Sequence, residues 1–533
     1  MENFNYFGVM IDCSRCAVPN VPALKSFLDI IAKMGYNCAM LYTEDTYEIP
    51  TEPFFGYKRG RYTVAELAEL DEYAGGLGIE LIPCIQTLAH LNAIFRWDCY
   101  KRNIFDIADI MMIGEERTYE LIEKMFKTLR SCFKTNKLHI GMDEAHYVGL
   151  GRYLDKNGFG DRYKLLLSHL SRVCDIAKKY GYETLMWDDM FFRLVQKGDY
   201  RTENDVSFPS EVTENIPENC KMVYWDYYAE KTEVYRAMME NSQKLSDDIW
   251  FAGGAWTWGG FTPHNKLSIR RNKLALPVCA EKGVKNVILT LWGDNGGECP
   301  PLAVLPALMN AAATAQGMSE EEMKEKFLEI TGVSYDDALA LDTANYIYGD
   351  GFGVGSANYS KNRLYNDPFL GIADKNTEHP VDTAIFAQKA AKLHTAEKEA
   401  GTLSCLFATQ AALCEALAVK FDLGEKTRAA YENDDKEALR ALAENEYTVF
   451  CEKLEAFYEA FRKQWYALNK PQGFEVHDAR LGGLMLRTKN CRRLLLDYCN
   501  GITDAVPELE EEVLPHDGGN IASWSNMITA CPI

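Results

Sequence analysis

The sequence predicts an α/β fold: a (β/α)8 TIM barrel over residues 1–318, followed by an α-helical C-terminal domain over 319–533. Three observations predict it. Up to about residue 316, eight short β-branched or apolar runs alternate with amphipathic stretches at helical spacing. That span is close to the ~250 residues usual for such a barrel. Beyond Gln316 the periodicity is almost wholly helical, with Ala, Leu, Glu and Lys dominating. An open doubly wound sheet is the alternative for the same alternation of elements.

The strands are expected at Phe7–Ile11, Cys38–Tyr42, Glu80–Cys84, Leu138–Gly141, Thr184–Trp187, Met222–Trp225, Ile249–Gly253 and Val287–Leu291. Helical segments lie near 22–34, 64–77, 118–133, 163–180, 229–242, 267–283 and 302–316. Pro22 suits a first helical turn, and Thr63 ahead of Glu66 reads as a capping box. Gly35, Gly78 and Gly181 sit just past helix ends, where a left-handed residue is wanted. In the second region the long helical stretches are Pro380–Lys398, Leu403–Phe421 and Lys436–Phe461. The Gly-rich segment Tyr348–Gly355 has no strand before it and no phosphate-loop Lys-Ser/Thr, so it reads as a loop. The acidic run Glu508–Glu512 reads as solvated surface.

The 533 residues hold 57 Lys and Arg against 78 Asp and Glu, a formal net charge of −21. Such a charge repels phosphate backbones and anionic headgroups, which argues against nucleic-acid and membrane partners. The opening Met1–Tyr6 lacks the basic-then-apolar pattern of a signal peptide. No uninterrupted apolar run reaches the ~18–20 residues of a membrane span. A soluble, cytoplasmic protein is the expectation. The 16 cysteines are scattered, several in apolar segments (Cys38, Cys84, Cys174), which fits free thiols better than a disulfide framework. Cys13 and Cys16 form a C-x-x-C with no second pair to complete a metal site.

A barrel builds its active site from the C-terminal ends of its strands. Strand one ends in Asp12 and Arg15, strand two in Glu44 and Asp45, and strand three leads to His90. Strand four begins at His139 and ends in Asp143 and Glu144. Strands five to eight end in Trp187-Asp188, Trp225-Asp226-Tyr227-Tyr228, Trp256-Thr257-Trp258 and Trp292-Gly293-Asp294. Five of the nine tryptophans therefore stand at strand tips. Any one alone reads as a cap on the barrel core; four consecutive tips point to a pocket. An indole at a loop-facing tip needs its face covered, and a sugar ring offers both a C–H face to cover it and hydroxyls for nearby carboxylates.

Asp143 and Glu144 narrow the reaction. Two-carboxylate glycosidases set their acids ~5–5.5 Å apart when retaining and ~6.5–9.5 Å when inverting, usually on different strands. Adjacent residues at one tip suit another division of labour. Glu144 protonates the leaving oxygen, while Asp143 orients a nucleophile that belongs to the substrate, such as the carbonyl of a 2-acetamido group. Its attack on C1 gives an oxazolinium whose N–H Asp143 accepts, and Glu144 then activates water. His139, Asp143, Glu144 and His146 also raise metal binding, but the two histidines sit on a strand and in a loop without the spacing of a zinc site. No serine-nucleophile elbow or dinucleotide-binding glycine pattern is found.

His139-Ile140-Gly141-Met142-Asp143-Glu144 resembles the His-x-Gly-Gly-Asp-Glu signature of glycoside hydrolase family 20, the β-N-acetylhexosaminidases, with Met142 at the second Gly. Asp12-Cys13-Ser14-Arg15 resembles the family's Asp-x-x-Arg, and Leu88-Ala89-His90 stands where Pro-Gly-His is usual. The resemblance covers roughly residues 5–316. It implies that Arg15 binds the sugar 3- and 4-hydroxyls and that Asp294 holds the 4- and 6-hydroxyls. Trp187, Trp225 and Trp292 would be the pocket tryptophans. The family's Tyr-x-Asp is absent after strand seven, where Trp256 stands, so Tyr227 or Tyr228 would hold the acetamido oxygen. Glu44 would partner His90 in tuning Glu144, with His139 behind them. The layout, barrel first and without the family's small N-terminal domain, resembles the hexosaminidase D-like and bacterial exo-hexosaminidase branch.

The reading is an exo-β-N-acetylhexosaminidase, retaining by substrate assistance, that needs no cofactor or metal and takes a terminal GlcNAc- or GalNAc-bearing glycan. Its rivals are a non-catalytic carbohydrate-binding barrel, a two-carboxylate glycosidase using Asp143 or Asp226 as nucleophile, and a metal-dependent hydrolase. The helical domain could close one side of the pocket, make a homodimer contact or stabilise the barrel.

Overall fold

The structure is a computed structural model that describes residues 4–348, 358–377 and 380–515, together with 517, 521 and 523–532. Residues 349–355 of the Gly-rich segment lie outside the described residues. Eight parallel strands close into a barrel in chain order: β1 (Tyr6–Asp12), β2 (Cys38–Tyr42), β3 (Glu80–Cys84), β4 (Lys137–His139), β5 (Glu183–Trp187), β6 (Cys220–Trp225), β7 (Trp250–Gly254) and β8 (Asn286–Leu291). β1 closes the ring by pairing β2 on one side and β8 on the other, with Gly8 opposite both Cys38 and Ile288. A Cβ at Gly8 would lie 2.3 Å from Cys38 Sγ and 2.8 Å from Ile288 Cδ1, so the interior closes there only without a side chain.

The strands read as apolar runs because both faces are buried. Met10, Met40, Ile82, Leu185, Val223 and Ile288 form one cluster inside the barrel, while Val9, Leu41, Leu81 and Leu289 pack outward in the larger core that includes the helices. Side chains alternate with period two along a strand. Asp12 and Gln86 follow in register from Met10 and Cys84 of the interior face, whereas at Glu44 and at Gly141–Met142 a left-handed backbone ends the alternation. β4 is shorter than Leu138–Gly141, the expected extent. Gly141 and Met142 adopt φ of 72° and 73°, which ends the extended run after His139 and swings Asp143 inward.

Outside the strands lie α1 (Val21–Met34), α2 (Val64–Gly76), α3 (Glu116–Cys132), α4 (Arg162–Lys179), α5 (Thr232–Ser242), α6 (Asn265–Glu281) and α7 (Leu305–Gln316). The Asn20 side chain accepts the Ala23 N–H at the start of α1, and Gly35 at φ 100° ends it. The Thr63–Glu66 capping box is reciprocal. Between β5 and β6, helix is limited to the short Asp189–Val195 and Ser210–Thr213.

The second region is helical, with α8 (Glu320–Thr331), α9 (Tyr359–Tyr365), α10 (Ala384–Glu397), α11 (Ser404–Lys420), α12 (Tyr447–Leu468) and α13 (Phe474–Cys499) as its main members. A π-helical turn at Leu442–Glu446 interrupts the stretch expected as one helix from Lys436 to Phe461. The stretch 401–432, which contains α11, is long and apolar enough to cross a membrane by length and composition, yet more than half of its most apolar 18-residue window is buried. Phe407, Leu413 and Leu417 are wholly enclosed, as in the core helix of a folded domain. The two regions share one apolar core. Phe261, between β7 and α6, meets Phe457 and Phe461 edge-on at 5.0 and 5.2 Å, and its carbonyl accepts from Gln410 Nε2 at 2.7 Å. All 16 cysteines are free thiols.

Candidate active site

The site begins at the seam between the first and last strands. Asp12 Oδ1 accepts from the Ser14 N–H and hydroxyl at 2.8 and 2.7 Å. Its Oδ2 accepts from Arg15 NH1 and from the Gly293 N–H, both at 2.8 Å. One carboxylate thus aims Arg15 and latches the tip of β8 to β1. The guanidinium lies over the Tyr42 and Trp292 rings at 5.1 and 5.4 Å, and its NH2 is 3.6 Å from Glu44 and 3.7 Å from Asp294.

A second cluster joins the tips of β2, β3 and β4. Gln86 Nε2 donates to Asp143 Oδ1 at 2.7 Å and to the Tyr42 hydroxyl at 3.0 Å, while its Oε1 accepts the Met142 N–H at 3.1 Å. The amide therefore fixes both Asp143 and the turn that carries it. A Cβ at Gly141 would fall 2.1 Å from Gln86 Oε1, on a backbone already at positive φ. Gly141→Ala is expected to cost at least the ~1–2 kcal/mol of a left-handed non-glycine residue. A chemical-denaturation midpoint would measure this, with activity falling beyond the loss of folded protein as Gln86 is pushed off Asp143.

His90, itself at φ 56°, places Nε2 3.1 Å from Asp143 Oδ2 and 3.7 Å from Glu144 Oε2. Burial alone would keep this imidazole neutral, but the charge and hydrogen bond of Asp143 outweigh it and raise the His90 pKa to about 10. Burial likewise works against an Asp143 carboxylate; His90 and Gln86 win, and its pKa falls to about 2. Glu144 moves the other way. Burial and then the neighbouring Asp143 charge raise its pKa, against the pull of His90 and Arg193. Two adjacent carboxyls thus hold opposite protonation preferences, the pattern that separates an acid from an ion. The Glu144 backbone, at φ 52°, is held by its N–H to Asp189 Oδ2 at 3.1 Å. Arg193 Nε meets the same oxygen at 2.8 Å and its NH2 reaches Glu144 Oε1 at 3.4 Å.

Part of this arrangement lines a cavity of about 100 Å³. The structure brings Arg15, His90, Asp143, Glu144, Trp187, Trp225, Tyr227, Tyr228, Trp292 and Asp294 together on its wall, with Trp258 beside them. Tyr227 is buried and stacks on Trp225 at 5.4 Å, whereas Tyr228 is 39% exposed at the rim. Trp292 meets Tyr42 edge-on at 4.8 Å.

Four of the residues singled out in the sequence are absent from the cavity wall. Trp256 is not on the cavity wall; it stacks behind Trp258 at 4.1 Å, so Trp258 presents the indole face. Glu44 does not bond His90. It accepts from the Tyr42 hydroxyl at 3.1 Å and faces Arg15, while Asp109 accepts the His90 N–H at 3.1 Å and lies 3.9 Å from Nδ1. His139 sits behind the wall, its ring 4.4 Å from Trp187 and its Nδ1 accepting the Gly141 N–H at 3.1 Å. Burial lowers its pKa to about 3, which keeps it neutral. Asp226 is buried, accepts the N–H groups of Tyr228 and Ala229, and is absent from the cavity wall. Among the described residues no three or more His, Cys, Asp or Glu side chains converge as a metal site would require.

Gln86, Asp109, Asp189 and Arg193 join the site without having been expected there. Gln86 carries a signal, two residues past β3 in register with Ile82 and Cys84; Arg193 stands one helical turn after Asp189. Asp109 lies just before Ile110–Met111, which pairs with Phe105–Ile107 as a small hairpin, and nothing local marks it.

Residues 4–244 match the family model described as "Glycosyl hydrolase family 20, catalytic domain", and residues 336–528 match "Glycoside Hydrolase 20C C-terminal domain". Hexosaminidase D of Homo sapiens is 23% identical over 344 residues, 60% of this chain and 67% of that one. Hexosaminidase D of Bos taurus is 23% identical over 296 residues, 52% of this chain and 81% of that one. Among solved structures, the exo β-N-acetylglucosaminidase from Vibrio harveyi in complex with N-acetylglucosamine aligns with a TM-score of 0.47 and 16% identity over 62% of this chain. That alignment spans 58% of the Vibrio chain, a little over half its length.

Proposed function

This chain belongs to glycoside hydrolase family 20, and on that premise we propose that it is an exo-acting β-N-acetylhexosaminidase that removes terminal non-reducing β-GlcNAc or β-GalNAc with retention. The observation that carries this reading is the pairing at the β4 tip: Asp143 held 3.1 Å from His90 Nε2 and 2.7 Å from Gln86 Nε2, beside Glu144, whose pKa burial and the Asp143 charge raise.

In the first step the acetamido oxygen of the substrate attacks C1 as the glycosidic C–O bond breaks, and the leaving oxygen takes the Glu144 proton. Asp143 accepts the acetamido N–H and offsets the positive charge that spreads over the oxazolinium. In the second step the Glu144 carboxylate takes a proton from water as that water attacks C1, and the acetamide reopens. Two inversions at C1 give net retention. Tyr227, buried beside Trp225 and Trp258, is the tyrosine proposed to hold the acetamido oxygen. Arg15 and Asp294, 3.7 Å apart on the cavity wall, grip the ring hydroxyls.

The test is hydrolysis of 4-nitrophenyl β-GlcNAc beside 4-nitrophenyl β-glucoside, each with and without EDTA. Cleavage of the acetamido sugar alone, indifferent to EDTA, is expected. Equal cleavage of the glucoside would remove the acetamide from the mechanism, and loss of activity in EDTA would favour a metal-dependent hydrolase.

A further inference from the structure

The loop from Trp292 to Cys299 carries Asp294 on its cavity side and is gripped from behind by the helical region. The Asn295 carbonyl accepts from Lys361 Nζ of α9 at 3.0 Å and from Arg480 NH1 of α13 at 2.7 Å. Arg480 NH2 also donates to Asn295 Oδ1 at 3.2 Å, and His477 Nε2 of α13 lies 3.0 Å from the Gly296 carbonyl. The Glu298 carboxylate ties the cluster together, 2.7 Å from Lys361 and 3.2 Å from Arg480. The Lys361, Glu298 and His477 side chains are almost completely enclosed. Removing one partner of such a buried pair strands the other without solvent, so the arrangement resists partial rearrangement.

Asn295, Gly296 and Gly297 take φ of 63°, 133° and 63° in succession, a turn that asparagine and glycine permit. A Cβ at Gly296 would meet Arg480 NH1 at 2.6 Å, and one at Gly297 would meet the Arg15 carbonyl at 2.7 Å. The loop is therefore wedged between the segment that follows β1, at Arg15 and Ala17, and α13. Asp294 itself is half exposed, 3.7 Å from Arg15, so its place is set by the backbone beneath it.

We propose that Lys361, His477 and Arg480 are positioning residues for sugar binding: the helical region sets the place of Asp294, and through it the affinity for the ring hydroxyls, without touching substrate. This rests on the glycosidase reading. Asp294 grips hydroxyls in the ground state as well as the transition state, so a displaced loop falls mainly on KM.

The experiment is steady-state kinetics on 4-nitrophenyl β-GlcNAc for the full chain and for Arg480→Gln, Arg480→Lys, Asp294→Asn and the Arg480→Gln/Asp294→Asn double variant, with Tm measured for each. Arg480→Gln is expected to raise KM about tenfold with kcat within about twofold. Arg480→Lys, which keeps the charge and loses the fork, recovers part of that loss. The double variant is expected to be no worse than Asp294→Asn alone, since both changes then remove one interaction. An unchanged KM in a folded Arg480→Gln, or additive losses in the double variant, overturns the proposal. If Arg480→Gln does not fold, Arg480→Lys alone and combined with Asp294→Asn carries the same comparison. No turnover by the wild type overturns the proposed activity and this inference with it; wild-type turnover with an additive cycle overturns this inference alone.

Discussion

Glu144→Gln is expected to lower kcat/KM for an unactivated β-GlcNAc disaccharide by about 10²–10⁴-fold, the range of a positioned general acid. The loss should shrink in the first step for a 4-nitrophenyl leaving group, which departs without full protonation. The second step then limits turnover, because no carboxylate remains to deprotonate water. Azide needs no base, so its addition should restore turnover of the aryl substrate and yield a β-glycosyl azide. The pH profile separates this role from a structural one. Burial and Asp143 raise the Glu144 pKa above its ordinary 4.5, so wild-type kcat/KM should fall as pH climbs through that raised value. The Gln variant should lose this basic limb. A variant that kept the limb, or that azide left unchanged, would remove Glu144 from proton transfer.

Asp143→Asn is expected to cost about 10²–10³-fold in kcat, the size of losing one group aimed at developing charge. In contrast to the Glu144 variant, the loss should be similar for good and poor leaving groups, with no azide rescue, since an amide cannot offset the oxazolinium charge. The change also reaches His90. With Asp143 neutralised, burial is left to act on the imidazole, and its pKa should drop from about 10 to below the ordinary 6.5, observable by NMR titration. Stability moves with pH in two directions. Asp143, lowered from 3.8 to about 2, contributes stability above pH ~4 that is lost as pH falls through 2. His90, raised from 6.5, contributes stability below 6.5 that is lost as pH rises through about 10. The wild type should therefore gain most over Asp143→Asn between these limits, and denaturation midpoints across pH would show it. A constant difference from pH 3 to 10 would mean that the His90–Asp143 pair does not hold its charges.

The barrel is legible in the sequence because each of its strands announces itself locally, and because eight strand-then-helix units admit few closures. Candidate site residues are legible for the same reason: a barrel mouth collects the residues just past each strand, so Asp12, His90 and Trp292 can be placed without knowing their partners. Contact between distant segments stays hidden. The end of β4 departs from expectation because Gly141 and Met142 turn left-handed, which glycine permits at 141 and the Met142 N–H bond to Gln86 across the mouth holds at 142. Trp256 and Trp258 stand two residues apart, and only packing decides which indole faces the cavity. Glu44 could reach either His90 or Arg15, and the Arg15 guanidinium, aimed by Asp12, decides between them. The grip of Lys361 and Arg480 on residues 295–298 joins positions far apart in sequence, beyond any spacing rule.

The latch at Asp12 bears on how the molecule comes into being. The first barrel strand along the chain pairs with the last, Tyr6 against Asn286, and the carboxylate that aims Arg15 gains its last partner when Gly293 arrives. Ring closure of this kind has a high contact order and is slow relative to local helix formation. A nascent chain at the ribosome would hold Asp12 and Arg15 with the seam still open until β8 had emerged. The pocket would gain its final wall only after residue 480 had emerged, so competence for the reaction would coincide with the end of folding instead of building up strand by strand.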